Sequence, residues 1–284
     1  MLSLNSLLKR VGCCSSHQHD ESVQFTMYST INDVRPNGDF ASAIQYRIAS
    51  TRQERESAFR LVYNSYLRAG LGEPNSHRMR VTPYHLLDST EIFIAEYCGQ
   101  VVFTMTLIMD GELGMPMETV YDDEVDSLRY EGLRLGEVSC LADRRAELCG
   151  FFPMFVQTSR LMIQYARYRG LDAVLAAVHP KHSRFYRRYM DFEVFGQERT
   201  YPTVRNNPAV ALWLEFARID RGPAERYNGR YEMFFKEQIP FDNLQPQPIS
   251  GNDSEYFQPM IDRNFTCAPL GDFCDSEPQY EMMQ

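Results

Sequence analysis

The 284-residue sequence predicts an α/β protein of the α+β kind, a mixed twisted sheet flanked by helices, and three observations carry that expectation. Two apolar runs, 91–97 and 101–109, flank a tight turn at Cys98, Gly99 and Gln100, the pattern of a hairpin. The run LDAVLAAV, 171–178, is nearly continuous in apolar residues and bounded by Gly170 and Pro180, as in strands buried on both faces. Between it and an earlier strand, LRLGEVSCLA at 133–142, lies one helical stretch, which makes a βαβ crossover.

The elements follow in order. Residues 1–43 are polar, without a sustained period, and read as a flexible leader. From Ile44, QYRIAS is a short strand, and Phe59, Val62, Tyr63, Tyr66 and Leu67 then recur on one face of a helix that ends in the Gly/Pro-containing stretch 70–77. After the hairpin, PMETVYDDEVDSLRYEG (116–132) reads as an acidic, partly helical insertion. In the next strand Gly136 signals a bulge or a close backbone approach. Residues 153–169 place Met154, Phe155, Leu161, Met162, Tyr165 and Ala166 at helical spacing, opened by Pro153 and closed by Gly170. A helix over 181–190, a strand starting at DFEVFG and a last strand over 209–216 complete a domain spanning 44–219. Residues 220–284 read as one helix, 220–236, and an acidic, partly disordered extension.

A net charge of −9 and a pI near 5.2 oppose binding to nucleic acid or anionic lipid. The charge is unevenly placed: residues 110–138 carry nine acidic side chains against Arg129 and Arg134, and 143–199 carry ten Lys/Arg against six Asp/Glu. Seven cysteines without paired spacing form neither a disulfide framework nor a zinc ribbon, so a reducing cytoplasm is expected. The apolar start is too short and too broken by Asn5, Lys9 and Arg10 to be a signal peptide or a membrane span. In HPKHSRFYRRYMDFEVFG, 179–196, two histidines three apart invite a metal reading, but Pro180 interrupts a shared helical face and further ligands are lacking.

The order of elements, with VYNSYL, TPYHLLDSTEIFIAE, LGMPMETVY, GEVSCLA and VHPKHSRFY, resembles the GNAT-type acyl-CoA N-acyltransferase fold over roughly 45–218. Within that fold the chain is similar to bacterial N-acyl amino acid synthases of the FeeM type, relatives of acyl-homoserine lactone synthases. The resemblance implies that the strands ending in GEVSCLA and LDAVLAAV splay apart and receive the pantetheine arm of an acyl thioester. It implies transfer of a long-chain acyl group to the α-amino group of an amino acid, without a tightly bound cofactor.

Aminolysis needs a deprotonated amine, a donor to the thioester oxygen and a proton for the leaving thiolate. Glu137 is the candidate general base or amine anchor, with an exposed strand glutamate as the competing reading. Backbone N–H groups from Ser139 through Cys140 to Leu141 are candidate oxyanion donors, and His179 and Arg184 join them as candidate thioester contacts. Tyr186 lies six residues before Phe192, as does the tyrosine many GNAT-type enzymes aim at the thioester sulfur; a core tyrosine is the alternative. Cys140, where related synthases tend to carry arginine, is a weaker candidate as an acyl-enzyme nucleophile with His179 or His182. On a regular strand it points away from Glu137 and Ser139 unless a bulge resets the alternation.

The loop DRRAELCGFFPM lacks the R/Q-x-x-G-x-G/A turn that binds CoA pyrophosphate in GNAT-type enzymes. Acyl carrier protein, acidic and without an adenosine diphosphate end, suits Arg144, Arg145, Arg184, Arg187 and Arg188 better. Acyl-CoA is the less favoured donor. The competing functions are a CoA-dependent N-acetyltransferase of a small amine or protein N-terminus, and a non-catalytic GNAT-like binding module.

Overall fold

Thr51 opens the first helix with a capping box: its hydroxyl accepts the Glu54 N–H at 3.3 Å, and the Glu54 carboxylate accepts the Thr51 N–H at 3.1 Å. The computed structural model describes residues 43–144, 151–222, 234–235, 238–262 and 265, so the proposed leader and most of the 220–236 helix lie outside the described residues. In chain order the elements are β1 (Ile44–Ile48), α1 (Arg52–Arg68), β2 (Thr90–Tyr97), β3 (Gln100–Met109), α2 (Glu118–Tyr130), β4 (Leu135–Asp143) and α3 (Phe151–Tyr168). They continue with β5 (Ala173–Val178), α4 (Pro180–Tyr189), β6 (Glu193–Tyr201), β7 (Asn207–Glu215), α5 (Phe216–Arg221) and α6 (Gly251–Phe257).

The strands form one seven-stranded sheet in the order β1-β2-β3-β4-β5-β7-β6, a GNAT-type arrangement. Only β4 and β5 run parallel, joined by α3 as the crossover. The β2–β3 hairpin turns on Cys98 and Gly99, both at positive φ, the backbone that a two-residue turn needs. Helices α3 and α4 cover one face over Phe93, Phe103, Met105 and Leu212. Helices α1 and α2 cover the other, α1 over Ile92 and Ile94, α2 over Leu135 and Leu175. Most apolar surface is thus removed from water on both faces, which explains the unbroken apolar run of β5.

Two local features set up the centre of the sheet. The β4–β5 ladder holds three pairs, Leu135–Ala173, Gly136–Val174 and Glu137–Leu175, and beyond them the strands separate although both continue. On the other side of β4 the register passes from Thr106–Ser139 to Thr104–Ala142, so Cys140 and Leu141 stand outside both ladders in a bulge. Cys140 sits there at φ 50°, in the left-handed region. The bulge resets the alternation. Val138 and Leu141 pack toward α3, while Cys140 and Ala142 pack toward α1, on the side of Glu137. Gly136 is the close approach: a Cβ there would lie 2.8 Å from Leu171 Cδ1 and 3.1 Å from Leu107 Cδ1.

Part of the acidic insertion is compensated by two arginines. Arg129 pairs with Asp110, Glu118 and Asp126, and Arg199 with Glu124. The C-terminal segment departs from the solvated extension its composition suggests. Arg55 donates to the Gln247 carbonyl at 2.7 Å, Phe257 is fully buried edge-on against Phe59, and Ile261 bridges to Val81. Among the described residues no helix is long and apolar enough to cross a membrane.

Candidate active site

A cavity passes through the sheet where β4 and β5 part. Val138, Leu141, Phe155, Met162, Tyr186 and Phe192 line its α3/α4 side, and Tyr66, Arg80, Glu137, Cys140 and Tyr201 its α1 side. Its volume is about 100 Å³, and its walls are mostly apolar, suited to a flexible arm carrying a chain of methylenes.

Glu137 is buried, 2% exposed, as the last residue of β4 paired with β5, so the exposed-strand reading does not apply. Its Oε2 accepts the Met117 N–H at 2.7 Å. Burial pushes the carboxyl up to about 8; that hydrogen bond opposes the shift and the nearby Glu118 charge adds to it. Among the described lining residues it is the sole carboxylate, as Arg80 is the sole cation. Tyr186 is half-buried, its ring 6.1 Å from Phe155 and 5.7 Å from Phe192, and burial raises its hydroxyl to about 12. Such a phenol remains protonated at neutral pH.

The Tyr186 position is fixed by the end of α4. Asp191 takes φ 57°, and the Phe192 N–H returns to the Tyr186 carbonyl at 3.2 Å, closing the helix as a left-handed cap does. Arg218 clamps this corner, donating to the Asp191 carboxylate at 2.8 Å and to the Asp191 carbonyl. The aspartate thus occupies a backbone conformation that suits glycine and adds an ion pair to it.

The remaining candidates divide. Ser139, Cys140 and Leu141 all line the cavity, with Ser139 Oγ 3.8 Å from Cys140 Sγ. Burial pushes the Cys140 thiol up, which keeps it from the thiolate form a nucleophile needs. His179 caps α4, its Nδ1 accepting the Lys181 N–H at 3.3 Å, and lies outside the cavity wall. Arg184 and Arg187 are exposed on α4 and Arg188 is half-buried there. Arg144 follows β4 toward the hairpin, where it bonds Gln100, apart from the α4 cations; Arg145 lies outside the described residues.

Three further groups escaped the sequence reading. Tyr66 belongs to the apolar stripe of α1 and looked like core; Arg80 had no periodic context at all. His182, weighed only as a metal ligand or thiol partner, is buried in the cavity wall with both ring nitrogens lacking a hydrogen-bond partner among the described residues. Burial, with help from Lys181, pulls it down to about 4, so it is a neutral imidazole with one N–H to donate. Its signal was the histidine beside β5 at the opening of an amphipathic helix.

A parallel strand pair that splays over a buried carboxylate and a tyrosine defines an N-acyltransferase of the GNAT-type fold. Residues 57–215, more than half of the chain, match the family model described as N-acyl amino acid synthase FeeM, and the chain belongs to that family. Among solved structures, FeeM, an N-acyl amino acid synthase from uncultured soil microbes, matches with a TM-score of 0.56 and 27% identity, covering 61% of this chain and 90% of that one. BjaI, a CoA-dependent acyl-homoserine lactone synthase solved with MTA, shares the fold at a TM-score of 0.50 and 14% identity, covering 75% of this chain and 99% of its own. A comparison with curated proteins finds no match.

Proposed function

We propose that this enzyme joins a long-chain acyl group, delivered as a phosphopantetheine thioester on acyl carrier protein, to the α-amino group of an amino acid. The observation that carries the reading is the buried Glu137 facing a mostly apolar cavity that runs between β4 and β5. The pantetheine arm enters at the splay, and the acyl chain lies among Phe155, Met162 and Phe192. Glu137 takes a proton from the incoming ammonium, directly or through one water, and the freed amine attacks the thioester carbon.

The resulting oxyanion is met by N–H groups of the Cys140–Leu141 bulge, which stand outside both ladders. The C–N bond forms and the C–S bond breaks; the Tyr186 hydroxyl supplies the proton for the departing thiolate and regains one from the new amide nitrogen, while the proton held by Glu137 passes to solvent. His182 offers its N–H to a carbonyl of the donor arm, since it has no protein partner to lose among the described residues. The exposed cations Lys181, Arg184 and Arg187 on α4, beside the splay, offer an acidic carrier a docking face.

The test supplies the full chain with a decanoyl thioester on acyl carrier protein, decanoyl-CoA or acetyl-CoA, together with a mixture of amino acids, and reads products by mass spectrometry. N-decanoyl amino acids formed fastest from the carrier thioester are expected. Efficient turnover of acetyl-CoA with decanoyl donors inert would overturn the proposal.

A further inference from the structure

The α1 side of the cavity holds one positive and one acidic side chain among its described lining residues, Arg80 and Glu137. Arg80 is 6% exposed. Its Nη2 donates to the Thr203 carbonyl at 3.0 Å, and its Nη1 lies 3.4 Å from the Asp262 carboxylate, a long contact for a charged pair. Its Nε is buried without a hydrogen-bond partner among the described residues. The guanidinium is held over the Tyr66 ring at 4.8 Å and near Phe265 at 5.6 Å, which fixes its plane from outside the cavity's polar contacts. Tyr66 and Cys140 each feel the charges of both Arg80 and Glu137, which places the two in one electrostatic neighbourhood.

A buried guanidinium with an unpartnered Nε–H and a loosely held Nη1 can turn to a carboxylate, and a carboxylate beside it matches an ammonium. The two opposite charges of an α-amino acid find their complements in this order.

We propose that Arg80 anchors the carboxylate of the acceptor while Glu137 receives its amino group, so that the cavity selects α-amino acids over simple amines. This rests on the acyl-transfer reading above. Asp262 holds Nη1 in the free enzyme and is displaced when the acceptor's carboxylate binds.

The experiment measures kcat and KM of the full chain with a decanoyl carrier-protein donor. Its acceptors are L-tyrosine, L-leucine and L-phenylalanine, each matched with its decarboxylated amine: tyramine, isopentylamine and phenethylamine. The wild type prefers the amino acids. Arg80→Gln raises KM for them by about tenfold or more, the worth of a hydrogen bond to a charged group, and thereby narrows or abolishes the preference over the matched amines. Asp262→Asn, which keeps Arg80 and removes its competitor, lowers KM for the amino acids only; it also decides the matter if Arg80→Gln does not fold. A wild type indifferent to the carboxylate would overturn the amino-acid reading itself. A wild-type preference that survives in a folded Arg80→Gln, or an Asp262→Asn with unaltered KM, would overturn the role of Arg80 alone.

Discussion

As the proposed base, Glu137 combines two demands that conflict at a single residue. A base must be able to lose its proton near working pH, and a buried carboxyl resists doing so; its titration near 8 is the compromise between them. Only the deprotonated form accepts a proton from substrate, so kcat/KM rises with pH through about 8. Glu137→Gln lowers kcat by about 10²- to 10⁴-fold and removes that inflection, leaving only the titration of the substrate amine. Stability runs the other way. The folded-state pKa lies above the unfolded value, so the stability Glu137 lends is present below about 4.5 and is lost as pH rises toward 8. The glutamine has no such loss. The melting temperature of Glu137→Gln therefore gains on the wild type between pH 4 and pH 9. A gap that stays constant over that range would contradict the placement of the charge in the cavity.

At the scale of elements, the cavity depends on two left-handed residues, Cys140 in the β4 bulge and Asp191 at the end of α4. Asp191→Ala loses the Arg218 ion pair and keeps a Cβ at φ 57°, whereas Asp191→Gly loses the pair and relieves the backbone. The alanine variant is therefore the less stable of the two by about 1 kcal/mol in denaturant unfolding, and the order alanine above glycine would be the contrary result. Both variants loosen Tyr186 and slow transfer. Regular elements were legible because burial on one or both faces imposes a period: α1, the hairpin, α3 and β5 all lie near the positions their apolar residues mark. Of the two alternatives read at Gly136 the close approach holds, while the bulge lies at Cys140–Leu141, where a cysteine at positive φ leaves no mark in composition. Asp191 was noticed as an oddity before Phe192, and only its φ and Arg218 explain it. The segment 238–262 read as an extension because a few anchors, chiefly Phe257, hold a stretch whose average is polar. The family resemblance pointed to Glu137 and Tyr186, and both line the cavity. Arg80 and His182 become visible only when distant elements meet around one cavity.

Over the whole molecule, a net charge of −9 sets the terms for the acidic carrier proposed above. General repulsion grows as salt falls, so an attractive encounter requires a local basic face close to the cavity mouth. Helix α4 provides one, with Lys181, Arg184 and Arg187 exposed beside the C-terminal end of β5. On the acidic side Arg129 and Arg199 are already engaged by α2 carboxylates. Arg187→Glu raises KM for the carrier-bound donor severalfold and weakens its salt dependence, because a charge at a docking rim acts mainly on encounter. The same substitution leaves transfer from a small N-acetylcysteamine thioester unchanged, since that donor needs the cavity without the docking face. Raising ionic strength from 0.05 to 0.5 M, a range over which the screening length shrinks from roughly 14 to 4 Å, slows the carrier-bound reaction and spares the small thioester. Equal sensitivity of both donors to Arg187→Glu would place the effect inside the cavity and remove carrier docking from α4.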